Sequence, residues 1–301
     1  MNINNNFTPL AWHQGDIELQ SNRASYAFGH IVPLIASKDN LLPFQIITRP
    51  AAIDLTTCTI CLRDTDGAVV RTLIRGAMEI DVCIFAEYDI VVYSGDGVHL
   101  DLPTGQYYLT LESNGAMWYS DVMTIVPDVS KMTRIEWWDE QDLVFGAGRI
   151  VYRVGGIFIP RIRQYKNRMY FLEEIGMPEY PVEEEGGTRD GLFYASKVLS
   201  GKKYKMQVAQ LTEAMCDALR FVHLADNVTV RDGYGRMYYC DSVLVTPEWQ
   251  TGAVASASVE IVTDTFVKQV GGGYTGDSPV VEGATSIVGQ AVIGEDFVVG
   301  A

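Results

Sequence analysis

Apolar and polar residues alternate over short segments along most of this chain, which is the pattern of β-strands that bury one face. In residues 55–63, for example, Cys58, Ile60 and Leu62 alternate with more polar neighbours. Turn signals such as Asn114-Gly115 separate these segments, and this one predicts a tight hairpin. Short strands at this spacing are typical of a β-sandwich. The strands predicted in the first half are residues 43–49, 55–63, 68–74, 88–93, 106–113 and 118–126.

The second half combines strands with one helical segment. Residues 211–225 place Met215, Ala218, Leu219 and Val222 at helical spacing, and a threonine at position 212 can cap the start. The chain is therefore predicted to be mainly β, with an N-terminal β-sandwich followed by a β-barrel-like or α+β domain with one helix. The strands predicted in the second half are residues 134–138, 150–154, 169–174, 203–209, 228–231, 237–244 and 256–262, the last continuing toward residue 270.

Changes in composition divide the chain into four parts. A polar start precedes the first strands, Pro127-Asp128 separates the two strand-rich regions, and a run rich in glycine and valine begins at Gly271. We predict that this last run serves assembly, because its apolar residues have too few neighbours to form a core. The predicted parts are an N-terminal arm at 1–26, a β-sandwich domain at 27–127, a β-rich domain with one helix at 130–270 and a tail at 271–301.

The charge balance restricts the class of partner. The chain carries 23 basic and 38 acidic side chains, for a formal net charge of −15. A general nucleic-acid binder needs a basic surface to neutralise phosphates, so we expect no specific nucleic-acid partner. No apolar run approaches the roughly 18 residues that a membrane span needs, so we expect no membrane partner. The polar start also lacks the layout of a signal peptide, and secretion is not expected.

Charge is unevenly distributed in the second half. Residues 149–168 contain six basic side chains and no acidic one, whereas residues 173–190 contain seven acidic side chains and only one basic one. These opposite runs can pair across one hairpin or between neighbouring subunits of a ring. The candidate subunit-interface residues are Arg161, Arg163, Arg168, Glu183, Glu184 and Glu185, together with the apolar tail residues Val280, Val281 and Phe297.

No motif in the chain predicts catalysis or a cofactor. None of the four histidines lies in a metal-binding pair or beside a nucleophile. Residues 271–276 match G-x-G-x-x-G, but no helix follows to bind a phosphate. Three consecutive glutamates at 183–185 do not have the alternate spacing of a calcium loop, and we interpret them as a solvated loop. The sequence therefore predicts no catalytic residue, no metal ligand and no cofactor.

The five cysteines are predicted to be free thiols that bind no metal. Cys58 and Cys61 form a C-x-x-C pair within a predicted strand. Residues three apart on a strand point to opposite faces, so the two sulfur atoms would diverge. No second cysteine or histidine pair completes a zinc site.

Three groups of segments follow one another along the chain in a recognisable order and spacing. The segments are Glu87-Tyr-Asp-Ile-Val-Val-Tyr93, Leu102-Pro-Thr-Gly-Gln-Tyr-Tyr108 and Trp118-Tyr-Ser-Asp-Val122; Glu174-Ile-Gly-Met-Pro-Glu-Tyr-Pro181, Glu183-Glu-Glu-Gly186 and Arg189-Asp-Gly191; and Cys216-Asp-Ala-Leu-Arg220, residues 226–232, Thr246-Pro-Glu-Trp249 and Ser258-Val-Glu-Ile261. Together they resemble virion tail proteins from tailed phages and prophages of Bacteroides-type gut bacteria. The resemblance covers roughly residues 40 to 270, and the 271–301 tail is outside it.

The resemblance implies a structural subunit of a phage tail, baseplate or neck ring that is not an enzyme. Its expected location is the virion, and its expected partners are further copies of itself and other virion proteins. No active-site residue is carried over. Two alternatives stay open. The 16 tyrosines and 5 tryptophans favour a carbohydrate- or receptor-binding β-sandwich protein, and a glycan-cleaving enzyme with an unidentified carboxylate pair is the other.

Overall fold

A computed structural model gives the fold. It describes residues 8–14, 34–48, 54, 57–73, 81–85, 88–93, 100–138, 151–154, 157–160, 166–189, 192–249 and 254–270. The predicted N-terminal arm is described only at residues 8–14, and the predicted tail at 271–301 lies outside the described residues.

The protein is mainly β, which confirms the predicted fold class. The first region contains ten strands, which are β1 (Trp12–Gln14), β2 (Leu34–Ser37), β3 (Phe44–Thr48), β4 (Thr59–Asp64), β5 (Val69–Thr72), β6 (Asp81–Phe85), β7 (Tyr88–Tyr93), β8 (Gly105–Ser113), β9 (Ala116–Ser120) and β10 (Met123–Val126).

Two sheets in this region share one core. One is seven-stranded, with the order β1-β9-β8-β10-β2 and with β4 joining β5 to β8; the other is β3-β7-β6. Aromatic rings connect them, because Trp12 of the first sheet contacts Phe44 of the second edge-on at 5.4 Å, and Phe44 stacks on Tyr93 at 5.2 Å. The predicted hairpin at Asn114-Gly115 joins β8 to β9, and both turn residues have positive φ as a tight hairpin requires.

The described residues of the second region form nine strands and a helix. The strands are β11 (Thr133–Trp138), β12 (Val151–Val154), β13 (Ile157–Pro160), β14 (Asn167–Phe171), β15 (Val182–Arg189), β16 (Leu192–Thr212), β17 (Asn227–Arg231), β18 (Met237–Trp249) and β19 (Val254–Val270). β12 and β13 pair only with each other among the described strands, and the rest form a sheet in the order β14-β11-β17-β18-β19-β16-β15. This order is open at both ends, so of the two predicted forms the sheet with one helix is observed and the closed barrel is not.

Helix α1 (Glu213–Leu219) begins where the sequence predicts. The Thr212 hydroxyl accepts a hydrogen bond from the Met215 backbone N–H at 3.2 Å, as an N-cap does. Met215, Ala218 and Leu219 are buried, which confirms the predicted apolar face. The helix ends earlier than predicted, however, because the Phe221 N–H bonds to the Ala218 carbonyl in a tighter turn. A short 3-10 turn at Val222–Leu224 follows.

The chain forms two compact units. The first comprises Met1–Glu179 and Lys203–Asp264, and the second comprises Tyr180–Lys202 and Thr265–Ala301. Strands β16 and β19 therefore each have residues in both units. The predicted boundary between 27–127 and 130–270 stays a prediction.

Candidate assembly surface

Strand β19 has an ordinary buried face within the first unit. Ala255, Ala257, Val259 and Ile261 are each 0–1% exposed, and the residues between them are only partly covered. This period of two is the pattern of a strand that packs one face on a core. The same holds for β16, where Tyr204, Met206 and Val208 are buried. Leu219 and Met215 of α1 belong to the same hydrophobic cluster as these residues.

The second unit contains the other parts of the same two strands, and their exposure is different. We call β15, residues 192–202 of β16 and residues 265–270 of β19 the exposed strands. No described side chain in them is buried. Phe266 and Val267 are neighbours and so point to opposite faces of β19, yet they are 59% and 63% exposed. Val182 of β15 is 58% exposed. Both faces therefore carry exposed side chains among the described residues.

Strand β15 contains the predicted interface glutamates. The prediction that residues 183–185 form a solvated loop is wrong in its backbone, because Glu183, Glu184 and Glu185 pair with Leu199, Val198 and Lys197 of β16. The prediction is right about solvent, since all three are exposed. β15 is also the last strand in the sheet order, so one of its edges has no neighbour among the described strands.

The predicted pairing between the acidic and basic runs stays a prediction, because most of the basic run lies outside the described side chains. A glutamate of the acidic run does pair with a lysine outside the basic run. Glu185 forms an ion pair with Lys197 at 2.7 Å, across the β15–β16 hairpin. Ser196 also donates a hydrogen bond to the Glu185 carbonyl at 2.9 Å, at a bulge in the pairing of the two strands. No ion pair of Glu183 or Glu184 is found in the described part of the chain.

The other predicted interface residues divide into two groups. Arg168 lies in β14 opposite Glu136 and is only 4% exposed, so it has almost no surface with which to contact another subunit. Its polarity suggested a surface position, but its whole strand is buried. The remaining residues, Arg161, Arg163, Val280, Val281 and Phe297, lie outside the described residues.

A charged turn between β17 and β18 forms a second distinctive feature of the first unit. The Asp232 carboxylate accepts hydrogen bonds from the backbone N–H groups of Tyr234 (3.0 Å) and Arg236 (2.9 Å). It also accepts from Arg236 Nε at 2.6 Å and from the Tyr238 hydroxyl at 3.0 Å. Burial alone would raise the pKa of Asp232, but these donors, Arg236 first, lower the pKa below its ordinary value of 3.8.

Several of the tyrosines and tryptophans whose number favours a carbohydrate-binding protein are in the interior. Trp137 is 0% exposed, and Tyr107 and Tyr108 are 6% and 5% exposed. Trp138 is partly covered, and the Lys166 ammonium lies 5.1 Å from its ring centre. Trp137, Tyr107 and Tyr108 therefore have almost no surface with which to contact a glycan.

A small cavity of about 130 Å³ lies in the first unit. Arg134 and Arg231, which are directly opposite each other on β11 and β17, contribute to its wall, as do Asp39 and Asp128. Arg134 forms an ion pair with Glu136 at 3.0 Å. The opposite charges in and beside the cavity leave little reason to expect a charged ligand there.

The four cysteines whose side chains are described are free thiols, as predicted; the side chain of Cys83 is not described. Burial, with Asp217 and Glu213 nearby, raises the pKa of Cys216 to about 11. Burial, with Asp264 nearby, raises the pKa of Cys240 to about 12. Within the described ranges, no three His, Cys, Asp or Glu side chains gather as a metal ion would require. The helices in those ranges are too short or too polar to cross a membrane.

The sequence analysis missed the exposure of Phe266 and Val267, although it predicted the strand that contains them. A signal was present. Apolar residues occupy odd positions from Ala255 to Ile261, but the next two apolar residues, Val262 and Phe266, are at even positions. Such a change of phase marks the point where one buried face ends. The sequence matches no family model and no curated protein.

Proposed function

We propose that the protein is a structural, non-enzymatic subunit of a phage tail, baseplate or neck ring, present in many copies in the virion. The observation that carries the proposal is that none of the described side chains of the exposed strands is buried. The resemblance of residues 40–270 to virion tail proteins supplies the biological setting. Its expected partners are further copies of the chain and other virion proteins.

The physical argument concerns what a sheet without a core requires. A few strands are stable in water only when a hydrophobic face packs against something. The exposed strands present Val182, Phe266 and Val267 to solvent. Large apolar side chains that remain accessible, next to an unpaired strand edge, are typical of surfaces that another chain covers. A subunit of an assembly has such a neighbour, whereas an isolated enzyme domain does not need one.

Two measurements test this proposal. Peptide mass spectrometry of particles purified from a bacterial culture that carries this sequence should find the protein in the particle fraction at many copies per particle. Native mass spectrometry of the purified chain at micromolar concentration should show oligomers. Absence from the particles would contradict the virion assignment.

A carbohydrate-binding role is the second candidate, because other aromatic side chains are at the surface. Tyr234 is 76% exposed, Tyr239 is 64% exposed and Trp249 is 52% exposed. Exposed aromatic rings can stack on sugars as well as on proteins. Binding on a glycan array that is lost in Tyr239→Ala and Trp249→Ala variants would favour this role over a purely structural one.

A further inference from the structure

The turn between β17 and β18 holds an arginine in an unusually fixed position for an exposed residue. The Asp232 side chain is 3% exposed, whereas the Arg236 side chain that pairs with it is 63% exposed. The turn is closed by backbone bonds between residues 232 and 236 and between 235 and 232, each of 3.0 Å. Gly235 allows this geometry because its φ is +84°, in the left-handed region.

The Arg236 guanidinium is oriented from several sides. Its centre lies 5.5 Å from the Tyr234 ring and 5.9 Å from the Tyr238 ring. Its described hydrogen bond to Asp232 uses Nε, which leaves the two terminal nitrogens as donors toward solvent. A planar guanidinium held in one orientation binds a carboxylate through two parallel hydrogen bonds, with little further loss of conformational entropy.

The Arg236 guanidinium is one of four donors to Asp232, which also accepts two backbone N–H groups and the Tyr238 hydroxyl. Only Nε of the guanidinium takes part in these bonds. The two terminal nitrogens can therefore bind a group outside the turn.

We propose that Arg236 is a carboxylate-binding site and that its ligand is the acidic strand β15 of a second copy of this chain. Glu183 and Glu184 are the suited groups, since both are exposed and Glu185 is already paired with Lys197. The complementary charges select this occupant, because a chain of net charge −15 offers many carboxylates but places three in a row on an exposed strand. This inference rests on the proposed function, because it supplies the contact between copies that an assembly needs.

The contact is heterologous, since one copy contributes Arg236 and the other copy contributes β15. Repetition of such a contact closes a ring or extends a filament, depending on the rotation between copies. A twofold β15–β15 contact centred on Glu184 is disfavoured instead, because it would place three glutamates opposite three glutamates.

Mixing of two complementary variants tests the proposal. One variant is Arg236→Leu, and the other combines Glu183→Gln with Glu184→Gln. Each alone should associate about 10-fold more weakly than the wild-type chain, as expected for loss of a charge-assisted hydrogen bond. At concentrations where neither variant associates alone, an equimolar mixture should form a 1:1 dimer, because only one intact Arg236 site meets one intact strand. Sedimentation velocity and native mass spectrometry measure both effects.

Matched controls separate this contact from general charge and folding effects. Glu174→Gln with Glu248→Gln removes two other exposed carboxylates and should leave association unchanged. Arg236→Lys retains the charge but not the planar fork, and should weaken association with little effect on thermal stability. If Arg236→Leu lowers the melting temperature, the association of Arg236→Lys and of the Glu183→Gln and Glu184→Gln double variant tests the contact in its place.

Four results would overturn the inference, three from the variants and one from the wild-type chain. The results from the variants are wild-type association by the β15 variant, wild-type association by both folded Arg236 variants, and a mixture that stays monomeric. A wild-type chain that does not self-associate would overturn it as well. The virion assignment would then still be judged separately by the mass spectrometry of purified particles.

Discussion

Strands β16 and β19 each have two parts with the same backbone conformation and opposite environments. In β19, Val259 is 0% exposed and Val267 is 63% exposed, although the two valines are only eight positions apart on the same strand. In β16, Met206 is 1% exposed, whereas residues 195–202 include no buried side chain. The buried parts belong to the first unit, where α1 contributes Met215 and Leu219 to the core.

This difference shows that strand formation and core formation are separate properties of the chain. Hydrogen bonds to neighbouring strands are made in both parts, as the register of β15 on β16 shows. Burial of apolar surface, which contributes about 25 cal/mol per Å², stabilises only the parts of these strands that belong to the first unit. We therefore expect the two parts to respond very differently to the same substitution.

The largest effect is expected at Leu219, which is 1% exposed in α1. Leu219→Ala should lower the free energy of unfolding by about 2–5 kcal/mol, because it leaves a cavity among packed side chains. Glu213→Ala, on the exposed side of the same helix, should change it by less than about 0.5 kcal/mol. Urea unfolding followed by circular dichroism measures both. Equal losses would show that the helix does not pack through this face.

The second prediction compares two valines on one strand. Val259→Ala should lower the free energy of unfolding by roughly 1.5–3 kcal/mol, the scale of fully burying a valine. Val267→Ala should change the stability of the isolated subunit by less than about 0.5 kcal/mol, since its side chain is already in solvent. The comparison is made in dilute monomer, where no neighbour covers Val267. A large loss at Val267 would mean that the second unit has cover of its own.

The third prediction contrasts two glycines. A Cβ added at Gly233 would lie 2.4 Å from the Lys131 carbonyl oxygen, whereas one added at Gly187 in β15 meets nothing within 4 Å. Gly233→Ala should therefore destabilise the first unit by about 1–3 kcal/mol through overpacking, and Gly187→Ala should be neutral within about 0.5 kcal/mol. Thermal unfolding measured side by side checks the pair. Equal melting temperatures would contradict the close approach of Gly233 to residue 131.

Alternation and turn residues were enough to predict most strands of the fold. They placed β7 with its observed bounds at residues 88–93, and they placed the β8–β9 hairpin. The prediction failed at the end of β9, where a side-chain hydroxyl takes the place of a backbone group in the hydrogen bonding. Residues 118–126 were predicted as one strand, but the Ser120 hydroxyl accepts from the Leu109 N–H and donates to the Asp121 carbonyl, which interrupts the ladder between β9 and β10.

The candidate surface was harder to predict than the fold. Polarity correctly indicated that Glu183–Glu185 are in solvent, but it cannot show that the backbone is paired as a strand. Polarity also suggested a surface position for Arg168, which is buried beside Glu136. The Asp232–Arg236 site depends on four donors that converge only in the folded turn. The dipeptide Asp232-Gly233 is a turn signal in the sequence, but nothing in the sequence shows that convergence.

The smallest expected effect concerns acid and the Asp232 turn. The pKa of Asp232 is lowered in the folded chain relative to its ordinary value of 3.8. Its stabilising contribution is therefore fully present above that value and is lost as the pH falls through the lower, folded pKa. Asp232→Asn should accordingly be less stable than the wild type at pH 6. The difference between their free energies of unfolding should become smaller as the pH falls below 3.8. Asp128 and Glu179 also have lowered pKa values, so both proteins should still lose some stability in acid.

Tyr238→Phe sharpens this acid test, because it removes one donor to the Asp232 carboxylate and leaves the other three. The stability of this variant should lie between those of the wild type and Asp232→Asn at pH 6, and the stabilities of all three should converge in acid. Urea midpoints at pH 6 and pH 3 give the comparison without a structural probe at the turn. A gap between wild type and Asp232→Asn that is equal at the two pH values would show that the ionised carboxylate does not hold this turn. The fixed orientation of Arg236 would then lose its physical basis.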